Sequence, residues 1–412
     1  MGKNLVVEEE EISPIEEVRL TVSNTDDPTL PIWTFRMWLL GLISCVALSF
    51  INQFFGFRTQ PLVITQITMQ IATLPMGKFL AYALPTAKFY IPLLGECSLN
   101  PGPFNMKEHV LISMFANAGS GFGSGPAYAI DIVTIIKSFY HRKISFLTSL
   151  LLVITSQVLG YGWAGVMRKF VVDPAYMWWP STMPQVSLFR ALHEKEHDKK
   201  RMSRGKFFMI ACIASFAWYL VPGYLFTTVT SISVLCLAFP KSVTAHQIGS
   251  GMNGLGIGSF TFDWSTIATY LGSPLISPFF VTVNIAIGYA LLMYVVTLVT
   301  YWGLSLYNAK TFPMISSDLF TSQGNKYNIT SIVNDKFQLD VSQYAQQGRI
   351  NMSTFLAFSY GLGFATIAAT FTHVILFHGK EIYQKFRASS KGKEDIHSRL
   401  IRGGAKGWLD LA

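Results

Sequence analysis

Hydrophobic positions in this chain form long blocks rather than short amphipathic periods. Six largely apolar stretches of at least 20 residues contain no Asp, Glu, Lys or Arg, and a helix needs about 20 apolar residues to cross the hydrocarbon core of a bilayer. A seventh stretch, 61–84, is interrupted by Lys78, whose long side chain can reach an interface. Buried core helices of a soluble protein are the alternative for a single stretch, but six favour a membrane. The six stretches are 37–57, 110–130, 144–167, 207–240, 264–309 and 350–379.

Two of these stretches do not fit the length of single helices. Stretch 207–240 contains Pro222-Gly223 near its middle, and stretch 264–309 contains Pro274 and Ser277-Pro278. Irregular backbone at membrane depth needs protein or a water-filled cavity around it, and broken helices often mark the substrate sites of transporters. A proline kink or a helical hairpin is the alternative. We predict an all-α polytopic membrane protein with about eight to ten spanning or re-entrant helices, some of them broken.

Composition supports this class and excludes others. Half of the residues are hydrophobic, mean hydropathy is +0.37, and 13% are charged, against about 25% in soluble domains. A soluble enzyme, a disordered scaffold and a nucleic-acid binder are therefore excluded. The net charge of +9 is unevenly distributed. Together with the hydrophobic stretches, this uneven distribution predicts an acidic arm (1–30), a helical membrane domain (31–380) and a basic tail (381–412).

Charge also predicts orientation, because Lys and Arg accumulate in short cytosolic loops. Basic clusters lie at 137–143, 190–206 and 380–406, and we place all three in the cytosol. The N-terminal arm should join them, because it is acidic and lacks the apolar core of a signal peptide. The segment 309–350 has few bases and contains the sequon Asn328-Ile329-Thr330, which makes Asn328 a glycosylation candidate on the outer side.

Three short motifs have competing interpretations. His193 to His197 spells H-E-x-x-H, which on a helix would suit a zinc peptidase, but its charged surroundings favour a solvated helix. Gly249 to Gly254 spells G-x-G-x-x-G without the acid that a dinucleotide site requires, so Gly254 is better placed in an irregular or closely packed segment. The glycines between Gly119 and Gly125 predict close helix packing or, alternatively, unwound backbone. The scattered cysteines predict neither disulfides nor metal binding.

The segment from Asn100 to His109 is the best candidate for function. Two prolines flank a glycine, which excludes a continuous helix and predicts a fixed turn. Glu108 and His109 then stand at the mouth of a span, either as a polar helix start or as groups that exchange protons or hold a charged ligand. Asp131, after the glycine-rich run, is the other ionisable candidate.

Cys97 to His109 resembles the NPG signature of the oligopeptide transporter family of plants and fungi. Segments 52–58, 172–180, 187–194 and 316–320 agree with that family, and the likeness runs from about residue 31 to 400. It is closer to the peptide-transporter branch than to the yellow-stripe branch. The signature residues carried over are Asn100, Pro101, Gly102, Pro103, Phe104 and Asn105.

The resemblance implies a plasma-membrane carrier, not an enzyme, that couples uptake of small peptides to proton entry. Substrates in the family include tetra- and pentapeptides, glutathione-like compounds and, for some members, metal chelates. The proton is the coupling ion, and no resident cofactor or metal is expected. The implied partners are the substrate, the lipid bilayer and, in addition, a full-length transporter or a second copy, but no nucleic acid.

The chain departs from the family pattern in length. Family members are nearly twice as long, their second signature lies in the missing half, and residues 401–412 do not resemble the continuation. We therefore expect a truncated N-terminal portion. A non-transporting fragment that pairs with and regulates full-length transporters is the second hypothesis, and an intramembrane H-E-x-x-H zinc protease is the third.

Overall fold

The computed structural model describes residues 13, 15–57, 62–86, 88–91, 95–121, 128–172, 179–194, 202–263, 277–334, 336–380 and 382–383. They form helices and a few two-stranded antiparallel ribbons, which is the all-α membrane architecture that the hydropathy pattern predicts. The chain divides into two compact units. The first is Met1–Arg201 with Lys393–Ala412, and the second is Met202–Gly392.

The first unit contains seven helices and one ribbon in its described part. The helices are α1 (Glu16–Thr21), α2 (Phe35–Phe55), α3 (Gln66–Ala83), α4 (Met106–Gly121), α5 (Tyr128–Thr134, extended by a π-helical turn at Ile135–Phe139), α6 (Phe146–Val171) and α7 (Met183–His193, after a 3₁₀ turn at Pro180–Thr182). The ribbon pairs β1 (Lys88–Ile91) with β2 (Gly95–Ser98). It connects the end of α3 to the segment that precedes α4.

Helices α2, α3 and α4 form the core of the first unit. The side chain of Thr34 caps α2 by accepting a hydrogen bond from the amide of Met37. The buried residues of α2 recur every three or four positions, which is the spacing of one helix face, and they include polar as well as apolar side chains. The apolar core of the bundle consists of Met37, Leu40, Phe104 and Ile112.

Close packing joins α2 to α4. A Cβ atom added to Gly119 would lie 2.3 Å from the carbonyl oxygen of Cys45, so only glycine permits this approach. Ser49 donates a hydrogen bond to the carbonyl of Gly119 at 3.1 Å. The packing interpretation is therefore confirmed at Gly119. Gly123 and Gly125 lie outside the described residues.

The second unit confirms that stretch 207–240 is not one continuous helix. Helix α8 (Arg204–Leu220) runs into a π-helical turn, Val221–Leu225, which holds Pro222 and Gly223 and ends the helix. Pro222 has no amide hydrogen to continue the helical bonding, and Phe226 leaves helical geometry. Short elements follow at Thr227–Thr230, Ile232–Ser233, Val234–Ala238, Val243–Gly249 and Ser259–Phe260.

The remainder of the second unit begins at Ser277, so Pro274 lies outside the described residues. Pro278 directly precedes the helix Phe279–Ala290, which continues as π-helical turns at Leu291–Val296 and Val299–Gly303. The other elements are Leu306–Thr311, Leu319–Phe320, Ile329–Ile332, Val341–Gln347, Asn351–Met352 and Thr354–His373 with its π-helical extension Val374–His378.

Five helices of the described chain are long and apolar enough to cross a membrane. They are Phe35–Phe55, Phe146–Arg168, Arg204–Leu225, Phe279–Gly303 and Thr354–His378. Helices α3 and α4, with 18 and 16 residues, pack beside the first of them.

Candidate functional site

A buried ion pair lies at the starts of α2 and α4. The guanidinium group of Arg36 and the carboxylate of Glu108 are both fully buried, and Nη2 of Arg36 lies 2.9 and 3.1 Å from the two oxygens of Glu108. A buried charge is tolerated only with a partner, so each residue accounts for the other. We did not identify Arg36 from the sequence. The sequence feature that marks Arg36 is that it is a single charged residue directly before the first apolar stretch.

Arg36 also holds the signature turn. Its Nη1 donates to Oδ1 of Asn100 at 2.9 Å and to the carbonyl of Gly102 at 2.7 Å, while Nη2 lies 3.5 Å from the carbonyl of Pro103. Gly102 has a φ of 150°, at the edge of the region that favours glycine. Pro101 restricts the same turn through its ring. The predicted fixed turn is confirmed, and its carbonyl groups face a cation.

Two asparagines of the signature tie the turn to three helices. Asn100 donates to the carbonyls of Ala81 and Leu84 at 2.7 and 2.9 Å, and so satisfies the C-terminal end of α3. Asn105 accepts a hydrogen bond from the amide of Glu108 at 2.9 Å, which caps α4, and donates to the carbonyl of Pro31 at 2.7 Å. The two side chains therefore fix where α2, α3 and α4 meet.

Phe104 fills the space between the turn and α3. A Cβ atom added to Gly77 would lie 2.6 Å from its ring, so the ring packs directly on the backbone of α3. Its ring also lies 5.5 Å from that of His109, between centroids. This signature residue therefore links the turn to the histidine.

A pair of histidines lies beside the ion pair. Nδ1 of His109, which is fully buried, lies 2.9 Å from Nε2 of His193 at the end of α7, and Nε2 of His109 lies 2.7 Å from the carbonyl of Gln70. The ring of Phe189 packs edge-on against His109. The sequence motif drew attention to His193 for a different chemistry, so this pairing was not anticipated.

The structure does not form the helical H-E-x-x-H motif. Helix α7 ends at His193, and Glu194 has extended backbone and pairs with Arg190 at 2.6 Å, while His197 lies outside the described residues. A zinc peptidase needs both histidines on consecutive turns of one helix. Within the described chain, no group of three or more His, Cys, Asp or Glu side chains is arranged to hold a metal ion. Glu194 therefore does not continue the helix of His193, as the zinc protease hypothesis requires.

Asp131 is not part of this cluster. It lies exposed in the first turn of α5, and no hydrogen bond or ion pair in the described chain connects it to Glu108 or His109. An open groove of about 1130 Å³ lies between α2, α5 and α6. Its lining is mostly apolar, and Lys137 is the charged residue among the described lining side chains.

Two of the remaining candidates lie in the second unit. Gly254 lies in a turn where an added Cβ would lie 2.5 Å from the carbonyl oxygens of His246 and Gln247, which confirms an irregular, closely packed segment. Asn328 is exposed and its Oδ1 accepts a hydrogen bond from the hydroxyl of Thr330 at 2.7 Å. Glycosylation at Asn328 stays a prediction.

Comparison with known proteins agrees with the resemblance. The family model described as OPT oligopeptide transporter protein matches residues 32–405. Oligopeptide transporter 4 of Arabidopsis thaliana is 68% identical over 396 residues, which are 96% of this chain and 54% of that protein. Oligopeptide transporter 2 of the same plant is 64% identical over 395 residues, 96% of this chain and 53% of its own length.

The chain spans about half the length of the curated relatives it matches. No solved structure matches it. Because the family model covers most of the chain and includes the signature turn, the membrane helices and both histidines, the chain belongs to the oligopeptide transporter family.

Proposed function

We propose that this chain forms the N-terminal part of a plasma-membrane carrier that moves small peptides or peptide-like compounds, including peptide chelates, together with protons. The observation that carries this proposal is the buried polar cluster of Arg36, Asn100, Glu108 and His109 at the meeting point of α2, α3 and α4. Buried ionisable groups in a membrane helix are costly and are usually retained for function. Membership of a transporter family supports the same proposal.

Two residues of the buried polar cluster have different proposed roles, one in holding the turn and one in proton coupling. Glu108 is neutralised by two short contacts with Arg36, so its carboxylate serves to hold the turn. Imidazole titrates near neutral pH in its ordinary range, and we assign proton coupling to His109 together with His193, whose ring it contacts at 2.9 Å. Asp131, exposed on another helix, remains a second candidate for the same task.

A peptide carries a carboxylate at its C-terminus, and the ammonium group of Lys137 can pair with that carboxylate. Lys137 lies in the groove between α2, α5 and α6, whose volume of about 1130 Å³ and apolar walls suit a short peptide with apolar side chains. Alternating access would then move helices around such a groove.

The proposed orientation keeps the N-terminal arm in the cytosol. Arg190, in the second basic cluster, donates to the carbonyls of Leu20 and Thr21, so this residue lies against the chain that precedes α2. Lys137, in the first cluster, lines the groove along α2 from Cys45 to Phe57. The cytosolic placement of that cluster stays a prediction.

Uptake by proteoliposomes that contain only this chain tests the carrier function. We expect accumulation of a labelled tetrapeptide that rises when the outside is made acidic, and a loss of that rise in His109→Phe. Exposed Glu16→Gln, in α1, is the matched control and should behave as wild type. Absence of uptake by a correctly folded chain would overturn the proposal that this chain transports by itself.

A second function has its own support. In the spans Phe146–Arg168 and Thr354–His378, none of the apolar window is buried inside the protein, which leaves surface for a full-length transporter or a second copy. In this case the chain regulates a partner and does not transport. Co-purification of a tagged chain with a full-length relative, together with a change in that relative's uptake, supports this function. Failure of the two to co-purify rejects it.

A further inference from the structure

The hydrogen bonds of His109 determine the tautomers of both histidines. A carbonyl oxygen only accepts, so Nε2 of His109 must carry the hydrogen that binds the carbonyl of Gln70. In the neutral ring Nδ1 of His109 is then an acceptor, and Nε2 of His193 must donate to it across 2.9 Å. An added proton can therefore bind only at Nδ1 of His193 if both contacts are kept.

Among the described residues, His193 has no ion pair that would compensate a positive charge. Its ring is half-buried and lies beside the rings of His109 and Phe104, at centroid distances of 5.1 and 6.0 Å. The carboxylates that are sequence neighbours of the two histidines are engaged elsewhere, because Glu108 pairs with Arg36 and Glu194 pairs with Arg190. Other charged groups lie on the helices that pack around α7. Helix α3 carries Lys78, and α4 carries Lys107, which pairs with Asp26. Helix α1 carries Glu16, Glu17 and Arg19.

Identified side-chain contacts attach helix α7 to the bundle. Besides the histidine pair, Phe189 is buried against His109, and the side chain of Gln70 donates to the carbonyl of Gln185 at 3.4 Å. Arg190 binds the chain before α2. Because the His193 ring is one of these attachments, an uncompensated charge on it acts directly on the contact between α7 and the bundle.

We propose that His193 is a proton-binding site, and that a proton bound there releases helix α7 from helices α3 and α4. The neutral pair holds α7 in place, and the protonated ring leaves its half-buried position for water. Use of this step in transport rests on the proposed carrier function, whereas the site itself does not.

The direction of the pH dependence follows from the environment. Burial, followed by the nearby His109 ring and the Lys78 ammonium group, lowers the pKa of His193 from 6.5 to about 4 while α7 is attached. Attachment is therefore strongest above pH 6.5, where the ring is neutral in both states. It weakens as pH falls from 6.5 towards 4, by about tenfold between pH 7.5 and 5.5.

Amide hydrogen exchange over residues 183–193 of the whole chain in lipid nanodiscs measures this release. We expect protection, corrected for the intrinsic pH dependence of exchange, to fall about tenfold from pH 7.5 to 5.5. In His193→Gln, the side-chain amide keeps a donor towards His109 but does not titrate, so protection should be the same at both pH values. In His193→Leu, protection should be low at both.

Nitrogen chemical shifts of histidine rings in the same sample supply a second measurement. They should show Nδ1 of His109 without hydrogen at pH 7.5, and a His193 that titrates below 6.5. His246→Gln, exposed in the second unit, assigns background signals and should leave exchange of α7 unchanged.

Two results would overturn the proposal. One is unchanged protection of α7 in wild type between pH 7.5 and 5.5, and the other is a wild-type pH dependence retained in His193→Gln. If both His193 variants lose protection, the ring titration decides, and a His193 that titrates at its ordinary value overturns the site. All of these measurements are independent of uptake, so a chain that does not transport can still pass or fail them.

Discussion

Helices α2 and α6 look alike in sequence and differ in the folded chain. Both are long, apolar and suited to cross a membrane, but 28% of the apolar window is buried in α2 and none in α6. The buried face of α2 includes Arg36, Ser44 and Asn52. Apolar side chains gain little by moving from lipid to protein, so helix contacts in membranes depend on small and polar residues. Hydropathy therefore predicts insertion, whereas buried polar positions indicate which face meets protein.

The largest effect should come from breaking the buried ion pair that distinguishes α2. Arg36→Leu leaves the carboxylate of Glu108 buried without its cation, and we expect a loss of about 3–5 kcal/mol in the free energy of unfolding. Equilibrium unfolding of the purified chain in lipid nanodiscs measures it.

A double variant separates the cost of an orphaned charge from the value of the pair. Arg36→Met with Glu108→Met removes both charges while keeping volume, and should recover most of the stability lost in Arg36→Leu. A double variant as unstable as the single one would show that the hydrogen bonds of Arg36 to Asn100 and Gly102 matter more than its charge pairing.

Two glycine substitutions test the difference in packing between α2 and α6, one at the contact of α2 with α4 and one on α6. Gly119→Val on α4 adds a Cβ that would lie 2.3 Å from the carbonyl oxygen of Cys45 on α2, and should cost about 1–3 kcal/mol or more. Gly162→Val on α6, where nothing lies within 4 Å, should change stability by less than about 0.5 kcal/mol. Equal effects at the two sites would contradict the packing difference between these helices.

The amide of Asn52 should have the next effect. Its fully buried side chain accepts from the amide of Ile64 at 2.8 Å and donates to the carbonyl of the same residue at 3.0 Å. Asn52→Leu leaves both backbone groups without partners and should lower unfolding stability by about 1–3 kcal/mol. Ser156→Ala on α6, whose hydroxyl only bonds its own helix, is the control and should be nearly neutral.

The smallest effect should come from an ion pair near the surface. Lys107 and Asp26 are 2.7 Å apart, but their side chains are 23% and 44% exposed. Lys107→Ala should cost less than about 1 kcal/mol, and the cost should shrink further in high salt. A loss as large as that of Arg36→Leu would show that burial is not what separates the two pairs.

Much of the candidate site followed from local sequence. Asn100 to Asn105 predicted a fixed turn because two prolines flank a glycine, and Glu108 and His109 lie near it because they are its immediate successors. Their partners were not predictable in this way. Arg36 is 72 residues from Glu108, and His193 is 84 residues from His109, so only the packing of separate helices brings them together.

The distribution of charge and hydropathy by itself determined that this protein is a helical membrane protein, because the cost of placing charges in lipid acts on each segment independently. Tertiary structure decided which ionisable groups are paired, that α7 ends at His193, and that Asp131 stays exposed. These outcomes depend on distances between segments far apart in the chain. Burial then turns each such distance into a strong interaction, because water no longer screens it.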